Sequence, residues 1–206
     1  MVAGGLRFDG ATTYVESPSS IVTNFGPADI LPICSGSYSS CRGNFSIDAW
    51  IRVDPLGSTV MTILDKRTGS PPAIKGYHLF VLLGTEDCVG LQLADGAGSG
   101  LSNYHSPGMP TLTDGNWHHI AVTVRRTEQA GIRWYHDGVL IGVSDPTDRL
   151  GSLESNSPLR IGTRTADPTL TGWFKGDLDE LEIFNRVLTP EEVATIFTAG
   201  ASGKCK

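Results

Sequence analysis

Long apolar runs are missing from this chain of 206 residues: nothing approaches the roughly 18 consecutive apolar residues that a membrane-crossing helix needs. A basic balance is missing too. Lys and Arg number 16 against 22 Asp and Glu, a formal net charge of −6, which leaves no electrostatic footprint for nucleic acid. No Cys-x-x-Cys pair, HExxH, P-loop or GxSxG occurs, so zinc, nucleotide and nucleophile-elbow chemistry lack support. There is no internal repeat. No signal peptide is visible, since Met1-Val2-Ala3-Gly4 leads straight into strand-like sequence. The expectation is a module of a larger exported protein.

What is present is turn chemistry and short alternating segments. With 25 Gly and 12 Pro, the composition is that of a turn-rich globular chain. "NFSIDAWIRV" places Phe45, Ile47, Ala49, Ile51 and Val53 on one face, with Ser46, Asp48, Trp50 and Arg52 on the other. "TVMTILDK", "YHLFVLL" and "VGLQLAD" are each about one strand long. "NWHHIAVTVRR" aligns His118, Ile120, Val122 and Val124 on one side. "GIRWYHDGVLIG" sets Asp137-Gly138 between two apolar runs, the strongest short-range hairpin signal. "PLRIGTR" and "GDLDELEIF" supply the last strands. The fold class that follows is all-β, a sandwich or barrel, with one short C-terminal helix as a lid. That helix is announced by "LTPEEVATIFTAG": Thr189 caps, Pro190 takes the first helical position, Glu192 completes a capping box, and Gly200 ends it. Residues 24–43 and 94–116 break the pattern and read as long loops, which are usually functional.

Four cysteines allow three pairings. Cys34 and Cys41 close the small loop "CSGSYSSC" and suit a local disulfide, leaving Cys88 with Cys205. The alternative is four reduced thiols, which sits poorly with an exposed cysteine in the tail "GKCK". Asn44-Phe45-Ser46 is a formal glycosylation sequon, discounted because Phe45 begins a core strand.

"LRFDGATTYVE", "FSIDAWIRV", "TILDKR", "DGNWHHIAVTV", "WYHDGVLIG", "LRIGTR" and "FKGDLDELEIFNRVLTPEEVATIF" occur in an order that resembles the laminin-G-like, concanavalin-A-like jelly-roll modules. The resemblance covers nearly the whole chain and implies one domain over 1–200, a jelly-roll sandwich of two antiparallel sheets, with a tail at 201–206. It implies an extracellular, non-catalytic binding module for carbohydrate or a cell-surface protein, stabilised by Ca²⁺. Two features depart from the pattern. Only five residues precede Leu6-Arg7-Phe8-Asp9-Gly10, where a further strand is common, and His136 stands where an aliphatic residue is more usual before the Asp-Gly turn.

Transferred by residue, the family's metal site names Asp9, Gly10 and Asp179. Alternation places Asp177, Asp179, Leu181 and Ile183 on one face of the late strand, with Leu178, Glu180, Glu182 and Phe184 on the other. Asp179 then aligns with core residues, where an unpaired carboxylate is costly and a calcium ion would compensate it. The rival reading is a glycoside hydrolase acting on a β-glucan-type polysaccharide. Asp177, Asp179 and Glu182 approximate the bulged Glu-x-Asp-x-x-Glu of jelly-roll hydrolases, but Glu182 faces away from Asp177 unless the strand carries a bulge. Sugar recognition needs flat aromatic faces with polar neighbours. Trp50, Trp173, Tyr104 and His105 are the candidates, while Trp117 and Trp134 are expected between the sheets. His118 and His119, adjacent in a strand, point to opposite faces and cannot chelate one ion together; they read as hydrogen-bonded sheet histidines.

Overall fold

The computed structural model describes residues 5–18, 25, 43–69, 72–98, 100–164 and 171–200. The first strands are β1 (Leu6–Asp9), β2 (Val15–Ser17), β3 (Phe45–Val53), β4 (Val60–Asp65), β5 (Lys75–Leu82) and β6 (Cys88–Asp95). Then come β7 (Leu101–His105), β8 (His118–Val124), β9 (Ile132–His136), β10 (Val139–Ser144), β11 (Leu159–Ile161) and β12 (Lys175–Phe184), followed by α1 (Pro190–Gly200). They form two antiparallel six-stranded sheets, β1-β12-β3-β8-β9-β10 and β2-β11-β4-β5-β6-β7. The expected sandwich is what forms.

Its core lies where the alternation of β3 places it. Ile47, Ala49, Ile51, Val122, Val124 and Trp134 of the first sheet meet Met61, Tyr77, Leu79, Val81, Leu91 and Leu93 of the second, all buried. Phe25 stacks on Phe45 with ring centroids 4.3 Å apart. Trp134 is in the core as expected, its indole N–H donating to Ser144 Oγ at 3.0 Å. Trp117 is not: it is half-buried just before β8, with the Arg52 guanidinium 5.4 Å above its ring. Asn44 is buried, its side-chain oxygen accepting the Arg126 N–H at 3.1 Å, which removes the sequon from consideration. The span read as one irregular stretch over 94–116 contains β7, a polar edge strand that lacks the apolar alternation of the others.

The β9–β10 hairpin turns through Asp137 (φ 49°) and Gly138 (φ 77°), the paired positive angles a type I′ turn requires. At the C-terminus the capping box forms. Glu192 N–H donates to Thr189 Oγ1 at 3.2 Å, and Thr189 N–H donates to Glu192 Oε2 at 2.8 Å. The helix lies on the outer face of the first sheet, where Val193 and Leu188 join Ala121, Tyr135 and Phe184 in a second apolar cluster.

Candidate functional site

The acidic strand is the first candidate, and one bulge decides its geometry. Asp179 pairs with Trp50 and Glu182 with Asp48, so Glu180 and Leu181 together face the single residue Ala49. Glu180 takes a left-handed φ of 49° to make this possible. The alternation therefore slips. Asp177, Asp179, Glu182 and Phe184 share the outer face with Arg52, Trp50, Asp48 and Ser46, their cross-strand partners; Leu178 and Ile183 point inward with Ile51 and Ile47. The expected alignment of Asp179 with core residues is wrong for this reason. The buried carboxylate is Asp177, clamped by Arg7 at 3.1 Å and by Arg52 at 2.8 and 2.9 Å.

The calcium set does not assemble. Asp9 lies opposite Lys175 in the β1–β12 ladder, four residues from Asp179, a gap of about 13 Å along the strand. Asp9 is also occupied by its own turn. Its Oδ1 accepts the N–H groups of Ala11, Thr12 and Thr13 at 2.7–2.9 Å, and its Oδ2 accepts the Thr12 hydroxyl at 2.5 Å. Those four hydrogen bonds, the Thr12 hydroxyl first among them, hold the carboxyl far below the usual carboxylate range. Gly10, at φ 80°, packs against the Lys175 stem, and Asp179 Oδ1 accepts the N–H of Glu180 at 2.8 Å. These residues do not fit a shared cation.

The bulge does supply the geometric precondition of the hydrolase reading, by putting Asp177, Asp179 and Glu182 on one face. That face is not open to a polysaccharide. Trp50, the cross-strand partner of Asp179, is buried beneath α1: Phe197 stacks on it at 5.6 Å, and Gly200 sits so close that a Cβ there would fall 2.4 Å from the indole. Beside it His119 and Asp48, both fully buried, are joined at 3.1 Å. A carboxylate neutralised by two guanidinium groups is also poorly suited to attack or to shuttle protons.

Of the four residues expected to meet ligand, three are enclosed. Trp50 is under the helix. Trp173 is buried, with Tyr14 edge-on at 5.9 Å. Tyr104 points into the core, its hydroxyl donating to Asp148, and burial followed by that carboxylate raises its pKa. His105, the next residue on β7, is exposed on the outer face of the second sheet, edge-on to Phe80 at 5.9 Å. Phe80 lies over Gly90, where even a methyl group would collide with its ring, and stacks on His78 at 4.9 Å. Gln92 continues this face, donating to Asn103 at 2.7 Å and accepting from Arg67. Cys88 is a free, buried thiol and carries no disulfide; burial, then Asp87 and Glu86, pushes its pKa up. Cys34, Cys41 and Cys205 lie outside the described residues.

At the end of the second sheet beyond His105, an open pocket of about 470 Å³ lies between Gly84–Asp87 and Gly108–Pro110. Asp87 ties its two walls together. Its Oδ1 accepts the Gly84 N–H at 3.1 Å, its Oδ2 the Thr113 hydroxyl at 2.9 Å, and its carbonyl the Met109 N–H at 2.6 Å. Sequence reasoning missed this pocket because its lining is Gly, Thr, Pro, Met and acid, with no aromatic residue among them. The run "GTEDC" between two strands was its only trace.

Comparison with known proteins agrees with this architecture. No curated protein matches the sequence. Among solved structures, the binding domain of Paraclostridial Mosquitocidal Protein 1 superposes with a TM-score of 0.67 at 18% identity, over 95% of this chain and 43% of that one. The heptameric SAP-like pentraxin of Limulus polyphemus gives 0.60 at 13% identity, over 93% and 80%. Domain 4 of an extracellular arabinanase from Geobacillus stearothermophilus, solved with arabinotriose, gives 0.58 at 17% identity, over 93% and 75%. Identities this low speak to the fold. No helix among the described residues is long and apolar enough to cross a membrane. The family profile of the laminin-G-like type, described as the concanavalin A-like lectin/glucanases superfamily, matches residues 9–194, and the chain belongs to that family.

Proposed function

We propose that this chain is a non-catalytic, extracellular binding module that takes a carbohydrate at the rim of the second sheet. The observation that carries the reading is the division of labour between the two sheets. The first sheet's outer face is roofed by α1 over Trp50, and its Asp177 is neutralised by Arg7 and Arg52. The second sheet ends in a cross-tied pocket of about 470 Å³, within the size range of small-molecule sites. Its glycine walls at 84 and 108 leave backbone groups accessible, and Glu86 supplies a carboxylate: hydrogen-bonding partners suited to sugar hydroxyls. The exposed His105 beside Phe80 extends that surface along the sheet. The structural neighbours include a toxin binding domain and an arabinanase domain solved with arabinotriose, which supports the same class of activity.

The experiment is a glycan array followed by calorimetry on the best ligand with Gly84→Trp. Nothing lies within 4 Å of a Cβ built at Gly84, and the residue is exposed, so a side chain can leave the backbone there. Affinity is expected to fall at least tenfold, about 1.4 kcal/mol, at unchanged melting temperature. Unchanged affinity would move the ligand elsewhere. Release of reducing ends from a polysaccharide, abolished by Glu182→Gln, would replace the binding module with the hydrolase.

A further inference from the structure

The other half of the same rim holds a cluster that the binding reading does not use. His118 opens β8, and His136 and Asp137 close β9 at the hairpin. In the β8–β9 ladder Ile120 pairs with His136, so His118 and His136 share a face as diagonal neighbours. Their ligand atoms converge: His118 Nδ1 lies 2.9 Å from Asp137 Oδ2 and 3.2 Å from His136 Nε2, and His136 Nε2 lies 3.7 Å from Asp137 Oδ2. Donors at 2.0–2.1 Å from a tetrahedral zinc ion stand about 3.3 Å apart, and these three edges bracket that value.

Two of the three ligands, His118 and Asp137, are also held from behind. The far nitrogen of His118, Nε2, is 3.1 Å from Asp114 Oδ1, so that with Nε2–H donating to Asp114 a metal ion would replace the proton now shared between Nδ1 and Asp137 Oδ2. Asp114 is itself steadied by the Asn116 N–H at 2.7 Å and its side-chain amide at 3.0 Å. The second oxygen of Asp137, Oδ1, accepts the His119 N–H at 2.8 Å, leaving Oδ2 turned to the cluster. Two imidazole nitrogens with one carboxylate oxygen select a zinc-type ion over calcium, which prefers an all-oxygen shell. Asp137 and His136 are only partly buried, so the side opposite the triangle opens to solvent.

We propose that His118, His136 and Asp137 form a three-ligand site for a divalent transition-metal ion of the zinc class, with its fourth position open to solvent. The site rivets the β9–β10 turn to the start of β8, and it stands independently of what the neighbouring pocket takes. The adjacency of His118 and His119 was never the relevant pair; the missing ligand is His136, where an aliphatic residue is more usual.

The test uses the full chain, stripped of metal and titrated with Zn²⁺ against a chromogenic chelator, then with Co²⁺ by absorption. One equivalent of Zn²⁺ is expected. Co²⁺ should give the intense d–d bands of a four-coordinate site without a thiolate charge-transfer band. His136→Val, a β-branched residue suited to a strand, should weaken Zn²⁺ at least about 100-fold, and Asp114→Asn about 10-fold or more. Asp137 is left intact because it also holds the turn. Sub-stoichiometric binding, a thiolate band, or full affinity in a folded His136→Val would each overturn the proposal. Should that variant unfold, the wild-type cobalt spectrum and Asp114→Asn decide it.

Discussion

Lowering the pH from 7.5 to 5.0 should destabilise this protein through His78, and the size of the effect follows from where that residue sits. His78 is on β5, 3% exposed, with its Nε2 at 3.0 Å from Thr62 Oγ1 and its ring stacked on Phe80. Burial, then the nearby Arg67 and Arg164, drives its pKa well below the ordinary 6.5. The sign follows from linkage. With the folded pKa depressed, the folded state stays neutral while the unfolded state takes up a proton below pH 6.5. Stability is therefore complete above 6.5 and drains away as pH falls toward the folded value. At pH 5.0 the unfolded histidine is almost fully protonated, which sets a ceiling of about 2 kcal/mol on the stability lost between pH 7.5 and 5.0. His78→Gln keeps a hydrogen-bonding amide for Thr62 but removes the titration. Urea unfolding of both proteins across this range should show a wild-type profile that falls further than the variant's, by up to about 2 kcal/mol. Parallel profiles would refute the assignment of a neutral His78 to the folded state.

Two further perturbations test other parts of the account. Thr189→Ala removes the oxygen that accepts the Glu192 N–H at the start of α1, and should lower stability by about 1 kcal/mol in urea unfolding; no change would mean the capping box is incidental. Adding Ca²⁺ to metal-free protein should leave the melting temperature where it was, because Asp9 and Asp179 stand about 13 Å apart along β12. A structural ion at a hundred times its Kd would raise it by roughly 5–11 °C in calorimetry, and such a rise would restore the calcium reading.

The parts of this fold visible in the sequence are those governed by local rules. Alternation along β3 and β8, the Asp137-Gly138 turn and the Thr189–Glu192 box each depend on residues within a few positions of one another, and each appears in the structure as read. The carboxylates of β12 were misread because alternation assumes an unbroken ladder. Nothing in "GDLDELEI" marks Glu180 as the residue that adopts a left-handed φ, since that conformation is imposed by pairing with β3 rather than by its own side chain. Trp50 was misread for a related reason. Lying on the polar side of a strand makes a tryptophan look solvent-facing, and only the path of α1 across the sheet shows that Phe197 and Gly200 cover it.

That helix organises the rest of the molecule's surface. By burying Trp50, His119, Ala121 and Tyr135 on the outer face of the first sheet, it removes the platform on which a jelly-roll hydrolase would work. Residues 106–117 cross between the two sheets at one rim. Along that crossing, Thr113 is fastened to Asp87 of the pocket and Asp114 to His118 of the histidine cluster. A single short segment thus supplies a wall of one candidate site and the carboxylate that holds His118 in the other.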